Sequence, residues 1–129
     1  MNFLVDTHWV ISFLNRRPLA VALFEELIPG GIAISVIAFG EVLEGLPDVS
    51  VEPADSQRLS ELLQRVDLLD INRGTAEVFA PLRRSLRAQG LLLADNDIWI
   101  AATAIHFDLI LVSRDEHFQR IPDLRLDRR

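Results

Sequence analysis

Leu109-Ile110-Leu111-Val112-Ser113 is the clearest strand in the chain, and it constrains the fold more than any other stretch. It is an unbroken apolar run with no polar alternation, the mark of a strand covered on both faces. Phe3-Leu4-Val5, which stops at Asp6-Thr7, and Ile32-Ala33-Ile34-Ser35 have the same character, and Leu68-Leu69-Asp70-Ile71 is a third candidate of this kind before the Leu109 strand. A sheet buried on both sides needs helices between its strands, and the intervening segments have helical spacing. One helix is expected over His8 to Asn15 and a second from Pro18 to Leu27, broken by Pro29-Gly30-Gly31. A third spans Val36 to Leu46, with Val36, Phe39, Val42 or Leu43, and Leu46 as its buried stripe. Pro47 to Pro53 is a loop, and Asp55 to Val66 is an amphipathic helix whose apolar side holds Leu59, Leu62, Leu63 and Val66. Asn72 is placed to cap a helix running to Gln89 and ending at Gly90; Pro81 either kinks it or divides it in two. A helix over Asp97 to His106 precedes the Leu109 strand, Leu124 to Leu126 is a last strand, and Asp127-Arg128-Arg129 is expected to fray.

This alternation implies right-handed crossovers and a three-layer α/β/α fold around a mostly parallel sheet. With 129 residues, 50% of them hydrophobic, residues 1–129 are expected to form one domain. There is no cysteine, hence no disulfide and no thiolate metal site. The apolar runs fall short of a membrane span and no basic leader precedes them, so a soluble cytoplasmic protein is expected. A formal charge of −6 argues against a broad electrostatic footprint on nucleic acid, and all 13 basic residues other than histidine are arginine.

In parallel sheets, ligands bind beyond the carboxyl ends of the strands where strand order reverses. Asp6 and Asp115 each follow the carboxyl end of an apolar strand, while Glu41 and Asp97 lie on helices that flank that edge. Taken singly, each acid has an ordinary explanation. Asp6 and Asp115 would cap the helices after them, one of Asp95, Asn96 and Asp97 would cap the next, and Glu41 would be solvated. Taken together, four carboxylates at one rim repel one another unless a cation compensates them. Oxygen ligands suit Mg2+ or Mn2+ better than zinc, and such a site performs phosphoryl chemistry. A histidine-dependent cleavage of a phosphodiester is the alternative chemistry, but nothing in the helix pattern pairs any two of His8, His106 and His117.

Four segments carry a resemblance that runs nearly end to end: Phe3-Leu4-Val5-Asp6-Thr7; Ile34-Ser35 through Gly40-Glu41 to Glu44-Gly45; Asn96-Asp97 through Thr103-Ala104; and Leu111 through Asp115 to Phe118. In this order the chain resembles the PIN-domain ribonucleases, and among them the VapC-type toxins of bacterial toxin–antitoxin pairs. The resemblance implies that Asp6, Glu41, Asp97 and Asp115 are both the catalytic and the metal-binding acids, with Mg2+ or Mn2+ as cofactor. Thr7 and Ser113 would support them, serine standing where the family more often has threonine. It leaves the role of Asp95 open, and it leaves His8 as either a site-edge contact or, the preferred reading, a residue of the capping turn.

The implied substrate is RNA in single-stranded or loop regions, transfer RNA being a frequent target of the toxin branch. The implied partners are a cognate antitoxin, whose arginine or lysine reaches the acidic cleft, and a second copy in a homodimer. Trp9, Phe13, Leu23 and Phe24 are more large side chains than one sheet face easily covers, so they form either an apolar surface for such contacts or ordinary core packing. Arg83, Arg84 and Arg87 either grip phosphates or form a solvated face. A housekeeping RNA-processing nuclease and a non-catalytic interaction module on the same fold are the alternatives. Receiver domains and haloacid-dehalogenase-type phosphatases resemble this chain less, since both patterns use a lysine.

Overall fold

The computed structural model describes residues 2–46 and 53–129, so Pro47 to Glu52, most of the expected loop, lie outside the described residues. In chain order the elements are β1 (Phe3–Val5), α1 (Thr7–Leu14), α2 (Pro18–Leu27), β2 (Ile32–Ser35), α3 (Val36–Gly45), α4 (Pro53–Arg65), β3 (Asp67–Leu69), α5 (Arg73–Ala88), α6 (Asp95–His106), β4 (Ile110–Val112) and β5 (Leu126–Asp127). The five strands form one sheet in the order β3-β2-β1-β4-β5. Every pairing is parallel, with Phe3 opposite both Ile32 and Ile110. Helices cover the sheet on both sides, and β2 is accordingly buried at each of its positions. Strand order reverses between β1 and β4, and the Asp6 N–H donates to the Val112 carbonyl at 3.2 Å, tying the two carboxyl ends together.

Local chemistry explains most of the boundaries. Pro18 opens α2 at its first turn, and Ser35 caps α3 by accepting from the N–H groups of Ile37 and Ala38. Asn72 and Thr75 form a reciprocal capping box at the head of α5, and Gly90 follows its end with φ +70°. α5 runs through Pro81 as one helix. It packs along α6, where Phe79 stacks on Trp99 with centroids 3.7 Å apart. Gly74 permits that approach, because a Cβ there would collide with the His106 ring.

Two alternatives are resolved and one expectation is corrected. On α3 the core takes Val42 rather than Leu43, which is 42% exposed, together with Ala38, while Phe39 and Leu46 pack partly buried against it. The last strand is displaced to Leu126–Asp127, and the terminus does not fray: Arg129 pairs with Glu26 at 2.8 Å and with Asp127 at 3.0 Å. Of the two readings for the large apolar side chains of α1 and α2, core packing is the one the structure has. Trp9, Leu23 and Phe24 are buried, and the half-buried Phe13 stacks on Phe24 at 4.4 Å. Among the described residues no helix is long and apolar enough to cross a membrane.

Candidate metal centre

The point where strand order reverses is a cleft of about 460 Å3, and Asp6, Glu41, Asp97 and Asp115 all line it. Asp6 leaves the end of β1 and caps α1, its Oδ1 accepting from the Trp9 N–H at 3.1 Å. Its other oxygen accepts from the Ser113 hydroxyl at the end of β4. That hydroxyl also accepts from the Asp115 N–H at 3.1 Å, so one serine links the two strand-end acids. Asp115 in turn caps the short helical segment Glu116–Arg120, its Oδ1 accepting from the His117 backbone N–H at 2.9 Å. Glu41 comes from α3 and is oriented by the Thr7 hydroxyl, which donates to Oε1 at 2.7 Å. Thr7 and Ser113 thus stand behind the carboxylates as the resemblance implied.

The capping explanation is correct for Asp6 and Asp115, yet it does not exhaust them, because both still face the cleft. At the head of α6 it fails. Ala94 occupies the cap position, so Asp95 and Asp97 both lie within the first helical turn. They then diverge. Asp95 accepts from Arg83 Nε at 2.8 Å, outside the residues that line the cleft, whereas Asp97 enters the cleft. Arg83 is therefore committed to an ion pair, which answers part of the question about the arginine cluster.

Electrostatics follow from this packing. Asp6 is only 5% exposed, and burial raises its pKa above the ordinary value, opposed by the hydrogen bonds from Ser113 and Trp9. Asp97 is also raised, first by burial and then by the like charges of Asp115 and Glu41. The cleft thus holds carboxylates whose ionised state is disfavoured by their surroundings, an arrangement that a bound cation relieves.

His117 was given no role by sequence reasoning, and it joins the tightest donor group. One ligand atom each from Asp97, Asp115 and His117 lies within 4.8 Å of the others, and His117 Nδ1 is 3.2 Å from Asp115 Oδ1. The structure thus brings an imidazole beside the carboxylates, and a mixed carboxylate and imidazole set also accepts a divalent ion. The available signal was the spacing of Asp115 and His117, two residues apart in a tight turn. His8 is exposed on the cleft wall, beside Asp6 and Asp115, and so is a site-edge residue as well as a member of the turn after β1. Of the three histidines, His8 lines the cleft and His117 approaches Asp97 and Asp115.

Comparison with known proteins agrees with this architecture. The family described as PIN domain matches residues 3–124. A ribonuclease VapC2 of Haemophilus influenzae is 30% identical over 128 residues, covering 98% of this chain and 97% of that protein. A ribonuclease VapC4 of Mycobacterium tuberculosis is 35% identical over 95 residues, covering 72% and 73% of the two chains. Among solved structures, VapBC2 from Rickettsia felis, bound to a DNA fragment from its promoter, superposes with a TM-score of 0.88 at 28% identity, covering 98% of each chain. A toxin–antitoxin complex from Klebsiella pneumoniae gives 0.76 at 28% identity over 95% of each chain.

Proposed function

The chain belongs to the PIN-domain family, and from that premise we propose that it is the ribonuclease toxin of a toxin–antitoxin pair, cutting RNA internally at the acidic cleft with the aid of Mg2+ or Mn2+. The observation that carries the reading is the convergence of Asp6, Glu41, Asp97 and Asp115 at the carboxyl ends of β1 and β4, without an arginine bound to any of them among the described residues. Asp97, Asp115 and His117 fit a divalent ion by the closeness of their donor atoms and would hold it, with Asp6 and Glu41 completing the negative wall. An ion bound there supplies Lewis-acid polarisation of the scissile phosphate and lowers the pKa of water.

The chain's own groups do the positioning. Ser113 fixes Asp6, Thr7 fixes Glu41, and the Asp115 turn fixes His117, so the wall is formed before substrate arrives. In this reading water attacks in line and the 3′ oxygen leaves, giving a 5′-phosphate and a 3′-hydroxyl. The partner is a cognate antitoxin in which an arginine or lysine enters the cleft and competes with the cation, and the toxin acts as a homodimer on single-stranded or loop RNA, transfer RNA included, in the cytoplasm.

His8 on the cleft wall and His117 beside Asp115 are the observations behind a second reading, in which the substrate's 2′-hydroxyl attacks and a 2′,3′-cyclic phosphate forms. Analysis of product ends separates the two. Cleavage that stops in EDTA, returns with Mg2+ or Mn2+, tolerates a 2′-deoxy nucleotide at the cut site and leaves a 5′-phosphate supports the first. A cyclic phosphate, or full activity in EDTA, overturns it.

A further inference from the structure

Beside the acidic cleft lies a second cavity of about 400 Å3, lined by Asp6, His8, Trp9, Ser12, Arg114 and Asp115. Asp6 and Asp115 line both spaces, so the two cavities meet at carboxylates of the candidate centre. Arg114 stands between Ser113, which donates to Asp6, and Asp115, whose N–H returns to Ser113, so its backbone is anchored on both sides. Its guanidinium carbon lies over the Trp9 ring, 4.7 Å from the centroid. Trp9 is only 8% exposed, which makes the indole a fixed platform.

Several arginines elsewhere are paired with acids, Arg65 with Glu25, Arg73 with Glu77, Arg83 with Asp95, and Arg125 with Asp108. Among the described residues Arg114 pairs with no carboxylate, although Asp6 and Asp115 share its cavity. A guanidinium held over an aromatic face keeps in-plane N–H donors at its edge, and these suit a phosphate in bidentate fashion. Trp9 has almost no free face left for a base, so the cavity favours the backbone of the strand over a stacked nucleobase. Resting on the ribonuclease reading, we propose that Arg114, seated on Trp9, is a phosphate-binding subsite that grips the RNA phosphate next to the scissile one and so sets the register of the strand across the acidic cleft.

The experiment pairs protein and substrate changes. A short RNA that the wild type cuts is prepared with a single neutral methylphosphonate at the phosphate on either side of the cut. Cleavage is followed with Mg2+, and binding by fluorescence anisotropy with Ca2+ in place of Mg2+. For the wild type, one of the two methylphosphonates is expected to lower kcat/KM and affinity by about tenfold, as the loss of a charge-assisted contact does. Arg114→Gln is expected to lose a similar factor on unmodified RNA, mainly in KM, to lower the salt dependence of binding by about one phosphate contact, and to lose nothing more with that methylphosphonate. Arg114→Lys should fall between the two proteins. Thermal melts should show all three equally folded, since Arg114 is exposed. An Arg114→Gln protein with unchanged KM and salt slope, or one that keeps the wild-type penalty for both methylphosphonates, overturns the subsite. A wild type that cuts no RNA overturns the ribonuclease reading, and a salt slope for binding single-stranded RNA that falls by about one phosphate contact in Arg114→Gln then still supports the subsite.

Discussion

Asp95 and Asp97 are two residues apart on the same first turn of α6, yet they belong to different electrostatic regions of the molecule. Asp95 faces outward and is matched by Arg83, as Glu25, Glu77 and Asp108 are matched by arginines elsewhere on the surface. Asp97 faces the cleft with Asp115 and Glu41 near it, and burial together with those like charges raises its pKa. A chain with 13 arginines to 19 acids has the means to pair many of its carboxylates. Among the described residues it pairs several outside and none in the cleft, where hydroxyls and backbone N–H groups orient the acids without cancelling their charge. An uncompensated cluster of this kind costs stability in the empty protein, and that cost marks the place where a cation or a cationic side chain is expected to bind.

The largest effect expected from this contrast is on catalysis. Asp97→Asn and Asp115→Asn should each lower RNA cleavage on the order of a hundredfold or more, since even groups behind metal ligands cost 10–100-fold when lost. Asp95→Asn should leave cleavage within a factor of a few. Equal losses for Asp95→Asn and Asp97→Asn in a cleavage assay would erase the distinction between the two regions. Next in size is stabilisation by metal. A hundredfold excess of Mg2+ or Mn2+ over its dissociation constant should stabilise the wild type by about 2.7 kcal/mol. Thermal melts should show that gain absent in Asp97→Asn and intact in Asp95→Asn; a gain of equal size in both variants would place the ion elsewhere.

Much of this contrast was legible in the sequence, and the part that was not has a physical explanation. The strands β1, β2 and β4 announce themselves because a strand covered on both faces is apolar at every position. Once they are neighbours, the acids that follow them share an edge, so Asp6 and Asp115 could be placed from residue types alone. The divergence of Asp95 and Asp97 could not, because it depends on where along the turn the helix begins and on Arg83 arriving from α5. His117 was passed over for a similar reason: its approach to Asp97 is a contact between separate elements. Whether Trp9, Leu23 and Phe24 are surface or core stays open in the sequence because α1 and α2 pack on each other as well as on the sheet, a depth that periodicity does not convey.

A smaller effect should appear in the pH dependence of the metal-free protein. The Asp97 carboxyl is harder to ionise in the folded chain than at its ordinary value of 3.8. Below that value it is protonated in both folded and unfolded chains and carries no penalty. As the pH rises through the raised folded value, the unfolded chain ionises freely while the folded chain ionises at a cost, so stability from this group is lost with rising pH. Asparagine carries no such charge. In EDTA, Asp97→Asn should therefore melt higher than wild type at pH 7, and the difference should shrink to nothing below the ordinary aspartate range. Asp6→Asn is a poorer probe, because that carboxylate accepts from both Trp9 and Ser113 and the substitution disturbs these contacts. A melting difference for Asp97→Asn that is flat from acid to neutral pH would show that the cleft charge is not strained.

The smallest effect concerns the outer acid itself. The Arg83–Asp95 pair is close, at 2.8 Å, but both side chains are substantially solvated, with 38% and 61% of their surfaces exposed. Water and salt screen such a pair, and side-chain entropy opposes it, so its removal should cost about 0.2–1 kcal/mol. Asp95→Asn also reduces the favourable interaction of an acid with the positive end of α6, a loss of similar size. The two losses are separable. Arg83→Gln removes the pair and leaves the acid at the helix head, and the double variant removes both. In denaturant melts Arg83→Gln should cost less than Asp95→Asn, and in the double variant the two costs should fall short of their sum by the pair's coupling. Each single variant should weaken with added salt relative to wild type less than the pair itself does, so the gap between wild type and Asp95→Asn narrows as salt rises. A gap that stays constant up to high salt, or a coupling of several kcal/mol, would mean that Asp95 is part of the buried electrostatics after all and that the boundary between the two regions lies further out than Arg83.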